Sequence, residues 1–486
     1  MLDAILSSEF LGWKESLGYN VQIAYVDDSR ITNRSGRDLA EQIRNFLREN
    51  YGIWEIEYVL IIGDYATIPM RYCYPDSGNH SFYPYDPFNF GGEVPTDYYY
   101  ADLSYEDSIS WDYDGDGYYG EYGQDYPDFL ADVCVGRIPT SDTAQITYVL
   151  SKLVTFEQDT GAWKNQVLHA GAMLFFENQD YSDYPEVDGA RILDFIEGDL
   201  MDGLTISHYS EREGLDPSEY LWPPLSLGTF NEDWRLGEYG IVNWAGHGSA
   251  IGASRLIWLY DDGDSVPESP ELSMPNFINI SSNLDDDYPS IVFAISCLVG
   301  YPEPNAYGRL GVDLLTKPSF GSAAGVVSAT RGAAVAAYID SIQGGAGQIC
   351  YEFNRYMICG PDGPEKVGNA LYNSKFYCNQ NYPFDHYYEY KNMFDFNLYG
   401  DPSLVREGAA AFICGDANSD EAVNVSDAIH LVNHIFAGGR PPQPLESGDV
   451  NCDNTCNISD AIWIINYIFA EGNQPCDTDN DGAPDC

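Results

Sequence analysis

Apolar and polar positions follow two periods along this chain. Val21-Gln22-Ile23-Ala24-Tyr25-Val26 has strand character, and residues 36–50 carry Leu39, Ile43 and Leu47 at helical spacing. Tyr58-Val59-Leu60-Ile61-Ile62 is a continuous apolar run that stops at Gly63-Asp64. Similar runs return at 167–176, 240–245, 290–295 and 323–328. Strands apolar on both faces, alternating with helices, predict an α/β fold with mainly parallel sheets covered by helices. Residues 72–129, rich in Tyr, Asp, Gly and Pro, predict a long surface loop region, and loops of that length commonly carry function. No run of about 18 apolar residues occurs, so no membrane-spanning helix is expected.

At Cys414 the pattern changes to a repeat with an offset of 33 residues. Asp416, Asn418, Asp420, Asn424 and Asp427 recur as Asp449, Asn451, Asp453, Asn457 and Asp460. The apolar helix after each set repeats too: Asp427-Ala428-Ile429 matches Asp460-Ala461-Ile462, and Ile435-Phe436-Ala437 matches Ile468-Phe469-Ala470. In each unit the oxygen-bearing side chains fall at loop positions one, three, five, nine and twelve. Alternate residues of a twelve-residue loop then point at one Ca²⁺. This double loop–helix repeat resembles dockerin type I modules. The resemblance implies a small all-α calcium-loop domain with a docking role, its partner a cohesin-like module or a segment of the same protein. In that family recognition lies at loop positions ten and eleven, here Val425-Ser426 and Ile458-Ser459, and such near-duplicate pairs would allow two rotated binding modes. Glu421 and Asn454 stand where the family usually has Gly. His430 and His434 have zinc-ligand spacing, but Trp463 and Tyr467 hold the equivalent positions, which favours a packing face over a metal.

Two further clusters alternate carboxylates. Asp112, Asp114 and Asp116 precede Glu121, and Asp477, Asp479 and Asp481 precede Asp485. Each is read either as a structural Ca²⁺ loop or as a solvated acidic turn. The second lies between Cys476 and Cys486, which could close a small disulfide loop, and it resembles the aspartate-rich calcium repeats of thrombospondin-like stalks.

Composition narrows the function classes. The 486 residues include 23 Lys plus Arg against 76 Asp plus Glu, a net charge of −53. Such a surface repels nucleic-acid phosphates and anionic lipid heads. With 44% hydrophobic and 14% aromatic residues, the chain has ample core material and is not a disordered polyanion. Of eleven Cys, ten could pair and leave one thiol free. Heavy Cys use and the acid excess suit an oxidising location, outside the cell or on its surface. Met1 to Lys14 lacks the features of a signal peptide, so a signal lies upstream or the protein is not secreted.

Two reactive side chains occupy special places in the pattern. His247 follows the apolar strand Ile241-Val242-Asn243-Trp244-Ala245 within Gly246-His247-Gly248-Ser249. Cys297 follows Ile291-Val292-Phe293-Ala294-Ile295-Ser296. Catalytic groups in open parallel sheets collect just beyond the carboxyl ends of strands. A His facing a Cys can withdraw its proton, and flanking glycines admit substrate backbone and free an N–H for an oxyanion. Taken singly, each fits equally a core Cys and a satisfied His. Together, a spacing of 50 residues with His first matches the caspase-like plan.

These motifs, with residues 58–64, Pro95-Thr96-Asp97-Tyr98, Val135-Gly136-Arg137-Ile138-Pro139 and Leu398-Tyr399-Gly400-Asp401-Pro402, resemble gingipain-type cysteine peptidases over about residues 10–405. The resemblance implies a caspase–hemoglobinase-like fold with two α/β subdomains, expected at 1–160 and 161–412. The dockerin-like repeat would follow at 413–473, and an Asp-rich tail at 474–486. It implies a cysteine endopeptidase acting through an acyl-thioester, with Cys297 as nucleophile, His247 as general acid/base, and Gly248 and Cys297 N–H groups as oxyanion donors. Glu177 is the best match for the carboxylate that orients the His, and Asp188 for one that selects Arg or Lys before the scissile bond. Protein or peptide substrates are expected, and no organic cofactor. Some relatives are surface-processing transpeptidases, and a non-catalytic scaffold is the remaining alternative. The family's first strand should precede the early helix, so the true N-terminus, with any propeptide, is expected upstream.

Overall fold

The computed structural model describes residues 2–80, 92–104, 110–284, 287–335, 344–407 and 413–477, apart from 362, 383, 385, 419, 421, 440, 443–444, 454 and 471. Two compact units result. One comprises Met1–Ile5 with Ala24–Gly408, the other Leu6–Ile23 with Ala409–Cys486.

The continuous apolar runs become strands of one eight-stranded sheet in the first unit, with Tyr58–Ile62 at its edge. Its strands are β1 (Tyr58–Ile62), β2 (Cys134–Ile138), β3 (Gln166–Gly171), β4 (Thr205–Ser210), β5 (Ile241–Ala245), β6 (Ser290–Ile295), β7 (Ala323–Ala329) and β8 (Phe396–Gly400), in the order β1-β2-β8-β7-β6-β5-β3-β4. All pairings are parallel except β7 with β8. Every residue of β5, β6 and β7 is buried, as a sheet covered on both faces requires. β8 joins β2 through Tyr399 and Arg137, so strands from both sides of residue 160 share one hydrogen-bonded sheet.

Helices start where carboxylates cap them. Asp38 accepts the Glu41 N–H ahead of α1 (Leu39–Trp54), and Asp142 accepts two N–H groups ahead of α2 (Thr143–Gln158). α3 (Gly189–Leu200) lies close on β3. A Cβ on Gly171 would come within 2.3 Å of the Ala190 backbone, so only glycine fits there. α4 (Gly345–Cys359) and α5 (Val367–Asn381) pack together, and α6 (Tyr387–Asp395) leads directly into β8.

Three expectations need correction. Residues 21–25 form no strand: the segment lies on the surface without a ladder partner, and extended backbone needs one to form a sheet. Of the described part of 72–129, residues 113–118 form an exposed loop, but much of the rest packs inward. Val94–Thr96 pairs with Arg71–Cys73, and Tyr98, Tyr99, Tyr100 and Trp111 are buried. Tyrosine reads as polar in sequence, yet it buries a large ring once its hydroxyl finds a partner, here the Pro69 carbonyl for Tyr100. The Arg71 guanidinium stacks over the Tyr99 and Tyr119 rings at 4.5 and 4.1 Å.

The third correction concerns cysteine. Cys73, Cys134, Cys297, Cys350, Cys359 and Cys378 of the first unit, and Cys456 of the second, are free thiols. Cys476 pairs with Cys414, not with Cys486, because the repeat folds back and brings its two ends to a Cα separation of 6.2 Å. Cys452 is also disulfide-bonded. In this second unit α7 (Val425–Ala437) and α8 (Ile458–Phe469) pack around Ala417, Ala428, Leu431, Val450, Ala461 and Ile464. No described helix is long and apolar enough to cross a membrane.

Candidate active site and calcium loops

The parallel ladder between β5 and β6 sets Ala245 opposite Ile295. Two residues further along each chain stand His247 and Cys297. The Gly246 N–H donates to the Ile295 carbonyl at 3.1 Å, and Ser296 Oγ donates to the Gly246 carbonyl at 2.8 Å, tying the two strand ends together. A Cβ on Gly248 would lie 2.2 Å from the Cys297 carbonyl oxygen and 2.9 Å from its nitrogen. The structure therefore brings His247, Gly248 and Cys297 into one cluster beyond the carboxyl edge of the sheet.

His247 Nε2 donates to the Leu174 carbonyl at 2.8 Å. A carbonyl only accepts, so the proton resides on Nε2 and Nδ1 keeps its lone pair. The Phe175 ring stands edge-on to the imidazole at 5.9 Å. Burial pulls the His247 pKa below its ordinary value, partly opposed by the Leu174 bond. Burial pushes the Cys297 thiol up, partly opposed by the Ala333 N–H, which donates to Sγ at 3.3 Å. Leu298, the next residue, has φ of 60°, a left-handed conformation that a β-carbon disfavours by roughly 1–2 kcal/mol. It turns the chain sharply after the thiol, and its N–H is held by the Arg331 carbonyl at 2.9 Å.

The two expected carboxylates lie elsewhere in character. Glu177 is exposed and makes no hydrogen bond to His247, whose orientation comes from the Leu174 carbonyl. Asp188 is buried at the start of α3, where one oxygen accepts the Ala190 N–H at 2.8 Å and the other accepts Ser218 Oγ at 2.5 Å. Burial raises its pKa against the pull of these donors. Glu186, itself raised by burial, feels the charges of Asp216, Asp188, Glu219 and Glu177. An acidic group thus gathers where β3 leads into α3. The Leu174 carbonyl, the Ala333 N–H and the Leu298 turn escaped sequence reasoning, because backbone groups leave no residue-type signal.

Within the second unit, both repeat loops wind the same way. Asp427 Oδ1 and Oδ2 accept the Asn418 and Asn424 N–H groups at 3.1 and 2.8 Å; Asp460 does the same with Asn451 and Asn457 at 3.3 and 2.8 Å. The Asp420 N–H reaches Asp416 at 3.0 Å, and the Asp453 N–H reaches Asp449 at 3.2 Å. Asn424 and Asn457 cap α7 and α8. Burial raises the Asp427 carboxyl, with Asp416 and Asp420 adding like charge, and Asp460 is raised in the same way beside Asp449. Converging hard oxygens of this kind fit Ca²⁺. Glu421 and Asn454 lie outside the described residues.

Carboxylate oxygens of Asp112, Asp114 and Asp116 lie within 4.8 Å of one another, although the Arg37 guanidinium already holds Asp112. Asp477 is buried, while Asp479 and Asp481 lie outside the described residues.

The model of peptidase family C25 matches residues 7–406, and that of the dockerin type I domain matches residues 414–469. Among solved structures, the complex of the pro- and mature domains of RgpB from Porphyromonas gingivalis is similar at 15% identity, with 82% of this chain and 76% of that chain covered and a TM-score of 0.55. The Arg-specific cysteine proteinase gingipain R (RgpB) is similar at 14% identity, with 82% and 74% covered and a TM-score of 0.55. No curated protein matches. The chain belongs to peptidase family C25: it is a cysteine endopeptidase with a caspase-like fold and a dockerin type I domain at its C-terminus.

Proposed function

We propose that Cys297 and His247 form the catalytic dyad of this peptidase and that it cleaves after Arg or Lys. The observation that carries this reading is the β5–β6 register, which sets the two side chains beyond adjacent strand ends. His247 Nδ1 takes the proton from Cys297 Sγ as sulfur attacks the scissile carbonyl carbon. The oxyanion that forms is met by the N–H groups of Gly248 and Cys297, whose backbones touch. The same imidazole then protonates the departing amine, leaving an acyl-thioester that water hydrolyses. The Leu174 carbonyl holds the ring through both transfers and stabilises the imidazolium.

The acidic group of Glu177, Glu186, Asp188, Asp216 and Glu219 supports a basic residue before the scissile bond. A guanidinium or ammonium there would offset the charges of Glu186, Asp188 and Asp216, which burial disfavours. Cys297→Ala should abolish cleavage of Arg- and Lys-containing peptides; undiminished cleavage refutes the dyad. A library profile without preference for basic residues refutes the acidic selector alone.

The dockerin domain supplies calcium-dependent docking in this reading, outside the cell or on its surface. Asp416, Asn418, Asp420, Asn424 and Asp427 hold one Ca²⁺, and Asp449, Asn451, Asp453, Asn457 and Asp460 the other. A duplicated apolar stripe stays uncovered: Ile429, Val432 and Phe436 on α7 correspond to Ile462, Ile465 and Phe469 on α8, and Phe436 and Phe469 are 69% and 70% exposed. Such a stripe suits a cohesin-like partner that can bind either repeat. Calorimetric titration with a cohesin module, with and without Ca²⁺, tests this; binding unchanged by chelation refutes it.

A further inference from the structure

Among the described residues the Ala333 N–H donates to Cys297 Sγ at 3.3 Å, and the Ala333 carbonyl lies 3.9 Å from the same sulfur. What holds that donor in place is a face of α6. Asn392, fully buried, takes both polar groups of Ala334: its Oδ1 accepts the Ala334 N–H at 3.0 Å, and its Nδ2 donates to the Ala334 carbonyl at 2.7 Å. Next to it in sequence, Lys391 Nζ donates to the Gly332 carbonyl and pairs with Asp395, one turn further along the helix. Asp395 Oδ1 in turn accepts the Arg331 N–H at 3.1 Å. Residues 331, 332 and 334 are therefore each clasped by α6, and residue 333, between them, is the one aimed at sulfur.

We propose that Asn392, backed by Lys391 and Asp395, positions the Ala333 N–H against Cys297 Sγ and thereby stabilises the thiolate. This rests on Cys297 being the nucleophile. A thiolate accepts a hydrogen bond far better than a thiol does, so a donor fixed at sulfur favours the deprotonated form. The dipeptide clasp matters because an unsupported loop would let the N–H turn away as charge develops. Among the described residues, the titratable and charged groups around the thiol are His247 beyond β5, Lys391 and Asp395 on α6, and Arg331, which is paired with Glu303 and Glu93. Lys391 and Asp395 form a neutral pair, so the amide is the directional element of this wall.

The test is the pH profile of Cys297 alkylation by iodoacetamide in the full chain, read by mass spectrometry of the Cys297 peptide, because other free thiols are present. Asn392→Ala should shift the profile to higher pH and slow alkylation at pH 7 about tenfold. It should also lower kcat with little change in KM. A second variant, Ala333→Pro, deletes the N–H itself while leaving α6 intact, and Gly332 before it tolerates the restriction a proline imposes. It should shift the profile in the same direction. A lowered melting temperature with an unmoved alkylation profile in either folded variant overturns the proposal and leaves Asn392 a packing residue. Loss of the dyad reading is separately visible: Cys297→Ala would then retain cleavage, whatever the alkylation profile does.

Discussion

Gly248→Ala places a methyl group where the Cys297 backbone already lies. The new Cβ would sit 2.2 Å from the Cys297 carbonyl oxygen, 2.8 Å from Ser296 Cβ and 2.9 Å from the Cys297 nitrogen. Ordinary heavy-atom contact is about 3.5 Å, so the two strand ends must part by on the order of 1 Å. None of the three atoms is the free end of a flexible side chain, so no rotamer change relieves the clash. Overpacking of this kind costs about 1–3 kcal/mol of stability. In a unit of this size that lowers the melting temperature by only a few degrees, about 2 °C per kcal/mol. The effect on rate should be much larger. A misplacement of about 1 Å between reacting groups costs roughly 10²-fold, and this displacement moves both an oxyanion donor and the sulfur relative to His247. The assay is kcat/KM on a short fluorogenic peptide with Arg before the scissile bond, beside a thermal melt of the same sample. A folded variant with kcat/KM within threefold of the parent would refute the reasoning, since the strand ends would then be shown to separate without consequence.

His247 is held below its ordinary pKa of about 6.5, so the acid limb of kcat/KM should fall below that value, and folding stability should decline as pH drops from about 6.5 toward the folded pKa, because the unfolded chain there binds the proton more readily; a limb above 7 contradicts this. Chelation of Ca²⁺ should lower the melting temperature of the dockerin domain and speed its proteolysis, and Asp427→Asn with Asp460→Asn should reproduce both without Ca²⁺ removal. Breaking Cys414–Cys476, which spans 62 residues of sequence, by Cys414→Ser with Cys476→Ser should cost the dockerin domain about 4 kcal/mol on chain-entropy grounds. Denaturant titration of that domain measures it, and a change below about 1 kcal/mol would mean that Ca²⁺ already restrains the same ends.

The parts of the fold that could be read from sequence are those where burial on both faces leaves an apolar run, β3, β5, β6 and β7, together with the half-buried edge strand β1. β2 was hidden by Gly136 and Arg137, yet both are buried. Arg137 pairs with Asp97 at 2.6 Å, and Gly136 makes room for the Gly400 carbonyl. β4, at the edge of the sheet with one ladder partner, is half polar. In the candidate site, His247 and Cys297 were legible because strand ends are visible in the pattern. Their supports were not. The Leu174 carbonyl and the Ala333 N–H belong to every residue type alike, and Asn392 lies 95 positions from the thiol it serves. The Cys414–Cys476 bond is not legible in the sequence: proximity points Cys476 toward Cys486, while the chain's return path decides which thiols meet.

The matched strand ends of β5 and β6 also say where this protein can diverge. One residue, Gly246, separates the last ladder pair from His247, and one residue, Ser296, separates it from Cys297. Side chains alternate along extended backbone, so a single insertion or deletion in either interval would turn a reactive group to the opposite face. Substitutions elsewhere leave that count untouched. The constraint therefore falls on two lengths rather than on a list of identities, and a lineage could replace most of its loops and surface while the distance between sulfur and imidazole stayed inherited from the sheet.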